Sequence, residues 1–143
     1  MRTGDIMQTD LVWCAPTATA VEAAALMTER GVGACLVMED RRLAGIFTER
    51  DLLRAVAEGT DARTRSVSEL MTREVTLAPP DADLVWAADT MRRIRARHLP
   101  VAQDGNVVGI VSLSDLFAAA EAVLRLDPHG IESAREMLAA AKH

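Results

Sequence analysis

Two short stretches of this chain carry residue types that could hold a sugar. Thr48-Glu49-Arg50-Asp51 and Ser112-Leu113-Ser114-Asp115 each place a hydroxyl three positions before a carboxylate, behind apolar runs that begin at Gly45 and Gly109. An apolar strand that breaks at a hydroxyl residue, with a helix starting behind it, presents such a carboxylate from the first helical turn. From there it can accept two hydrogen bonds from the vicinal hydroxyls of a ribose, the task an acidic residue performs in dinucleotide-binding folds. The same spacing also suits a plain helix start, with Thr48 and Ser112 as N-caps and Asp51 and Asp115 as favourable acids in the first turn. Local sequence leaves both readings open.

Other candidate chemistry is sparse. Arg97-His98 opens the segment Arg97-His98-Leu99-Pro100-Val101, where Arg supplies a planar fork of donors for a phosphate and His can add a proton near neutrality. Arg92 and Arg93 read as a solvated helical face. No Ser-His-Asp order, paired-carboxylate motif, zinc spacing or glycine-rich phosphate loop occurs, so neither catalysis nor a metal is expected. His98, His129 and His143 share no spacing with Cys14 and Cys35, and the cysteines read as small buried hydrophobes rather than a disulfide. A formal charge of −5 without a broad basic cluster argues against nucleic acid as the main partner. The N-terminal residues do not resemble a signal peptide and no stretch is long enough to cross a bilayer, so a cytoplasmic location without membrane attachment is expected.

The elements that must position these residues are duplicated. Sliding the sequence by sixty-four positions superposes Met7 on Met71, Pro16 on Pro80, Val21 on Val85, Met27 on Met91, Val37 on Val101 and Asp51 on Asp115. No gap is needed over roughly 55 residues, the signature of an internal repeat. Half the residues are apolar, but with two Phe and two Trp the core must be built from Ala, Val, Leu, Ile and Met. The first copy reads as a strand at Leu11 to Cys14, a helix capped by Thr19 and ended by Gly31, strands at Ala34 to Met38 and Leu43 to Phe47, and a helix from Glu49 to Ala57. The second copy repeats this order with strands at Val75 to Leu77, His98 to Ala102 and Val107 to Val111, and helices at Asp83 to Ala96 and Ser114 to Leu126. Asp5-Ile6-Met7 and Glu69-Leu70-Met71 each read as a helical turn capping its own repeat. The division expected is residues 1–59 for repeat 1, 60–66 for a linker, 67–126 for repeat 2, and 127–143 for a C-terminal tail with an alanine-rich helix at Ile131 to Ala141. The fold class is α/β (α+β), two pseudo-symmetric β-α-β-β-α repeats packed as one unit.

The doubled pattern Gly, two apolar residues, Ser/Thr, two variable residues, Asp, each preceded by its Met-and-Pro leading segment, resembles a tandem pair of cystathionine-beta-synthase (CBS) domains over about residues 3–125. In that family the aspartate of the motif binds ribose and the hydroxyl position, here Thr48 and Ser112, faces phosphate. The resemblance implies a regulatory sensor for an adenosine-containing ligand, AMP or ATP foremost, with no required cofactor. Arg50 favours the Asp51 site, Ser114 is its uncharged counterpart, and Arg97 and His98 would meet phosphate. The base would be recognised near Val12-Trp13 and Thr76-Leu77, where Trp13 either stacks on a purine or fills the space. The resemblance further implies a homodimer joined through helical faces and an unidentified effector protein. The alternative is a ligand-free dimerisation scaffold.

Overall fold

In the computed structural model, residues 1–126 are described together with His129, Arg135, Glu136, Ala139 and Ala140. The terminal helix expected at Ile131 to Ala141 therefore falls largely outside the described residues. The elements in order are α1 (Thr3–Ile6), β1 (Trp13–Cys14), α2 (Ala20–Arg30), β2 (Ala34–Glu39), β3 (Arg42–Thr48), α3 (Glu49–Ala57), α4 (Val67–Leu70), α5 (Leu84–Ile94), β4 (His98–Gln103), β5 (Asn106–Ser112) and α6 (Leu113–Leu126). Among the described residues no helix is long and apolar enough to cross a membrane.

Strand alternation divides the first sheet between two cores. Cys35, Val37 and Phe47 point to α2, where they meet Ala20, Ala23 and Met27. Ala34, Leu36 and Ile46 point the other way, towards Val107 and Ile110 of the second repeat. Residues on both faces of β2 are therefore buried, which is why it reads as a continuous apolar run rather than an alternating one. The second repeat builds its own core from Ala87, Met91, Leu99, Val101, Val111 and Leu116. Both hairpins turn on left-handed residues, Asp40 (φ 49°) with Arg41 (φ 64°) and Asp104 (φ 52°) with Gly105 (φ 81°), and both carry a register shift at the same repeat position, after Val37 and after Val101.

Two expectations fail, each for a specific reason. First, the leading segments do not cap their own repeats; they are exchanged. Met7 packs into the second core, Gln8 pairs with Ile110, and Thr72 pairs with Ile46, while Val67 and Met71 complete the first core. The backbone contacts obey the same offset: Gly4 N–H donates to the Pro80 carbonyl at 2.8 Å and Ser68 N–H to the Pro16 carbonyl at 3.2 Å. Neither core is finished without the other half, as suits repeats too small to bury enough surface alone. Second, Val75 to Leu77 is not a strand. The first sheet has the order β1-β2-β3, but the second holds only β4 and β5, with a single parallel bridge from Ala78 to Val101. In the first repeat Leu36 N–H donates to the Val12 carbonyl at 2.9 Å. Its counterpart in the second is Pro100, which has no N–H to offer Thr76.

Candidate functional site

The Ser/Thr-x-x-Asp motif is a helix cap in both copies. Thr48 Oγ1 accepts from Asp51 N–H at 3.3 Å while Asp51 Oδ2 accepts from Thr48 N–H at 2.9 Å. Ser112 and Asp115 repeat the reciprocal pair at 3.1 and 2.8 Å. Such a box satisfies two orphan helix donors and is worth about 0.5–2 kcal/mol. It occupies only Oδ2 of each carboxylate, so capping and ligand binding do not exclude one another. Each Oδ1 meets a residue of the exchanged leading segment: Thr72 Oγ1 donates to Asp51 at 3.5 Å, and Gln8 Nε2 to Asp115 at 3.2 Å.

The two copies then diverge. A cleft of about 590 Å³ opens at Asp115, built from Gln8, Val12, Gly33 and Leu36 of the first half and Arg97, His98, Ser112 and Ser114 of the second. Among the sequence candidates it thus unites Val12, Arg97, His98, Ser112, Ser114 and Asp115. Thr48, Arg50, Asp51 and Thr76 lie outside it. Sequence reasoning favoured the Asp51 copy because of Thr48 and Arg50, but the Arg50 guanidinium is already engaged: its Nη1 donates to the Arg95 carbonyl at 2.7 Å, linking α3 of the first repeat to the end of α5. Asp51 itself is 5% exposed, with Arg54 Nη1 at 3.5 Å adding to the contacts on Oδ1. On the Asp115 side the position of Arg50 is taken by Ser114, too short to make such a link to the backbone of Gly31.

Trp13 neither fills the cleft nor stands in it. It is 57% exposed and lines a separate hollow of about 400 Å³ with Leu11, Leu36 and Met38. Parallel pairing of Trp13 with Leu36 puts both on one sheet face, and β1, which carries Trp13, is an edge strand of that sheet. Cys35 is buried and Cys14 partly so, both as free thiols. The adjacent Cys14 sulfur and burial push the Cys35 thiol far above its ordinary range, which leaves it inert as a nucleophile.

Several cleft residues carried no signal in the sequence reading. Gln8 is the clearest, and the repeat offset pointing to its twin Thr72 could have exposed it. Asp10 and Arg30 form an ion pair at 2.5 Å at the rim. Glu49, the first residue of α3, reaches into the cleft from the opposite repeat, as does Arg30. Burial holds the His98 imidazole below its ordinary pKa, opposed by the nearby carboxylates of Glu49 and Asp115 and reinforced by Arg97. His98 is therefore largely neutral at neutral pH. Among the described residues no group of three or more His, Cys, Asp or Glu side chains is arranged to hold a metal ion.

Comparison with known proteins agrees with this geometry. The family model for the CBS domain matches twice, at residues 4–58 and 67–122. The CBS domain-containing protein YhcV of Bacillus subtilis is 41% identical over 113 residues, 78% of this chain and 80% of YhcV. The crystal structure of the CBS-domain containing protein ATU1752 from Agrobacterium tumefaciens superposes with a TM-score of 0.81 at 33% identity, covering 84% of this chain and 99% of that one. The CBS domain protein PAE2072 from Pyrobaculum aerophilum, solved in complex with AMP, superposes with a TM-score of 0.73 at 28% identity over 80% of this chain and 89% of its own. With its motif doubled, its leading segments exchanged and a cleft between the halves, this chain belongs to the CBS-domain family as a tandem pair.

Proposed function

We propose that this protein is a regulatory module that binds one adenosine-containing ligand per chain in the cleft at Asp115 and signals its presence to a partner protein. The observation that carries this reading is the position of Asp115: its Oδ2 is held by the helix start, while its Oδ1, contacted by Gln8, lies in a cleft walled by both repeats. Ribose hydroxyls can take the place of the Gln8 amide on that oxygen. Val12, Ala34, Leu36 and Ile110 offer an apolar wall for the base, and Arg97 with His98 stands where a phosphate would follow. The AMP complex of the Pyrobaculum relative supports the ligand class. Because the walls come from different repeats, a ligand that touches both favours one relative placement of the halves, and this differential affinity is the signal.

A homodimer formed through helical faces fits the same reading. Leu53 and Phe117, each 69% exposed, occupy equivalent positions on α3 and α6, and Val21 and Val85 do so on α2 and α5. Exposed apolar side chains repeated by the duplication form a surface that a second copy can cover. The test is calorimetry on nucleotide-stripped protein with AMP, ADP, ATP, S-adenosylmethionine and nicotinamide dinucleotides. The reading expects one site per chain, lost in Asp115→Ala and kept in Asp51→Ala. Absence of any heat or thermal shift across the panel would leave a ligand-free scaffold as the better account.

A further inference from the structure

The charges inside the cleft narrow the ligand further, on the reading that Asp115 marks the binding site. Glu49 enters from the first repeat at the start of α3, its N–H donating to the Gly33 carbonyl at 3.0 Å. Its carboxylate lies so close over Gly33 that a Cβ there would sit 2.9 Å from Oε1, and 3.4 Å from Cε1 of His98. Glu49 and the His98 ring therefore share the ground where a phosphate tail must pass. Of the cleft cations, Arg30 is already neutralised by Asp10 at 2.5 Å, and His98 is held in its neutral form by burial. Arg97 is exposed on the cleft wall with no ion pair among the described residues. One free guanidinium offsets most of the charge of a single phosphate monoester, about −1.5 to −2 near neutrality, and has nothing left for a second. Each further phosphate adds negative charge beside Glu49 in a site partly removed from water, where like-charge contact is strongly unfavourable. The equivalent position in the second repeat is Leu113, so the carboxylate is a departure within the chain itself.

We infer that Glu49 is a specificity residue that selects adenosine ligands with at most one phosphate and rejects polyphosphate tails. The test measures dissociation constants of adenosine, AMP, ADP and ATP by calorimetry for the wild-type chain, Glu49→Gln and Glu49→Leu, the last copying the twin position, with circular dichroism to verify folding. In the wild type, AMP should bind more tightly than ATP by about tenfold or more, and both variants should shrink that ratio towards unity. ATP binding as tightly as AMP in the wild type, or a ratio unmoved in both variants, overturns the role of Glu49 while leaving the adenosine site standing. Failure of all four compounds to bind the folded wild type overturns the site and this selectivity together.

Discussion

The exchange of leading segments makes a quantitative prediction through the motif glycines. Gly45 and Gly109 are glycine because a methionine from the opposite repeat lies across each. A Cβ at Gly45 would stand 2.5 Å from Met71 Sδ and 2.7 Å from the Thr72 carbonyl oxygen, whereas at Gly109 its three nearest neighbours are all Met7 side-chain atoms, with Cγ at 2.7 Å. Ordinary carbon contacts begin near about 3.5 Å, so roughly 1 Å of movement is demanded in either place. At Gly109 the flexible thioether can supply it. At Gly45 the carbonyl cannot, because it accepts from Ile46 N–H at 3.0 Å while Thr72 N–H donates back at 2.9 Å. Overpacking of this kind runs to about 1–3 kcal/mol, so Gly45→Ala should sit near the top of that range, and Gly109→Ala near about 1 kcal/mol. Urea unfolding with an unchanged slope reads the difference as a shift in midpoint. The decisive measurement is a double-mutant cycle. Met7→Ala removes Sδ and Cγ, the two atoms that crowd Gly109 most, so it should couple favourably with Gly109→Ala by about 1 kcal/mol, and Met71→Ala should not couple with it. Coupling of Gly109→Ala to Met71→Ala in place of Met7→Ala would mean that each segment covers its own repeat, and the reasoning would be refuted.

Three further outcomes follow from particular residues. Arg95 closes α5 in the left-handed region (φ 56°), where its twin Gly31 (φ 65°) does so without strain; Arg95→Gly should therefore raise stability by roughly 1 kcal/mol in urea titration. Asp51→Ala and Asp115→Ala both lose a capping box and should each destabilise by about 0.5–2 kcal/mol, but only Asp115→Ala should also lose the ligand-induced thermal shift, which corresponds to about 2.7 kcal/mol at a hundred times the dissociation constant. His98 has a folded pKa below its ordinary 6.5, so the unfolded chain binds more protons there and stability rises with pH. The His98 contribution is complete above about 6.5 and is lost as pH falls through the lower folded value. His98→Gln should flatten the acid limb of the stability profile, and an identical slope in wild type and variant would contradict the assignment.

Much of this molecule was legible because periodicity reports burial directly. The ranges of α2, α3 and the hairpins at Ala34 and His98 follow from apolar spacing, the N-cap at Thr19 and the turn at Asp104-Gly105. What the sequence concealed was long-range. Nothing local to Met7 says that it packs under Gly109 rather than Gly45, since the two destinations are chemically alike. The failed strand at Val75 to Leu77 was legible in principle, because Pro100 stands where Leu36 donates, but only once the pairing partner is known. Arg50 misled for a related reason: a cation beside a ribose-binding motif suggests phosphate, and only the fold shows that the Arg95 carbonyl already occupies it.

Duplication supplies two equivalent acidic positions, and a handful of substitutions makes their surroundings unequal. At equivalent repeat positions the Asp51 side has Arg50 where the Asp115 side has Ser114, Arg95 where it has Gly31, and Thr72 where it has Gln8. The long Arg50 side chain can span to the opposite wall, and Arg95 presents the carbonyl that receives it. The carboxylate behind them is then buried against Thr72 and Arg54. On the other side Ser114 is too short to reach the backbone of Gly31, and both residues line the cleft at Asp115. Under the function proposed above, this asymmetry favours a single ligand at Asp115, whose contacts with both walls would bias the relative placement of the halves.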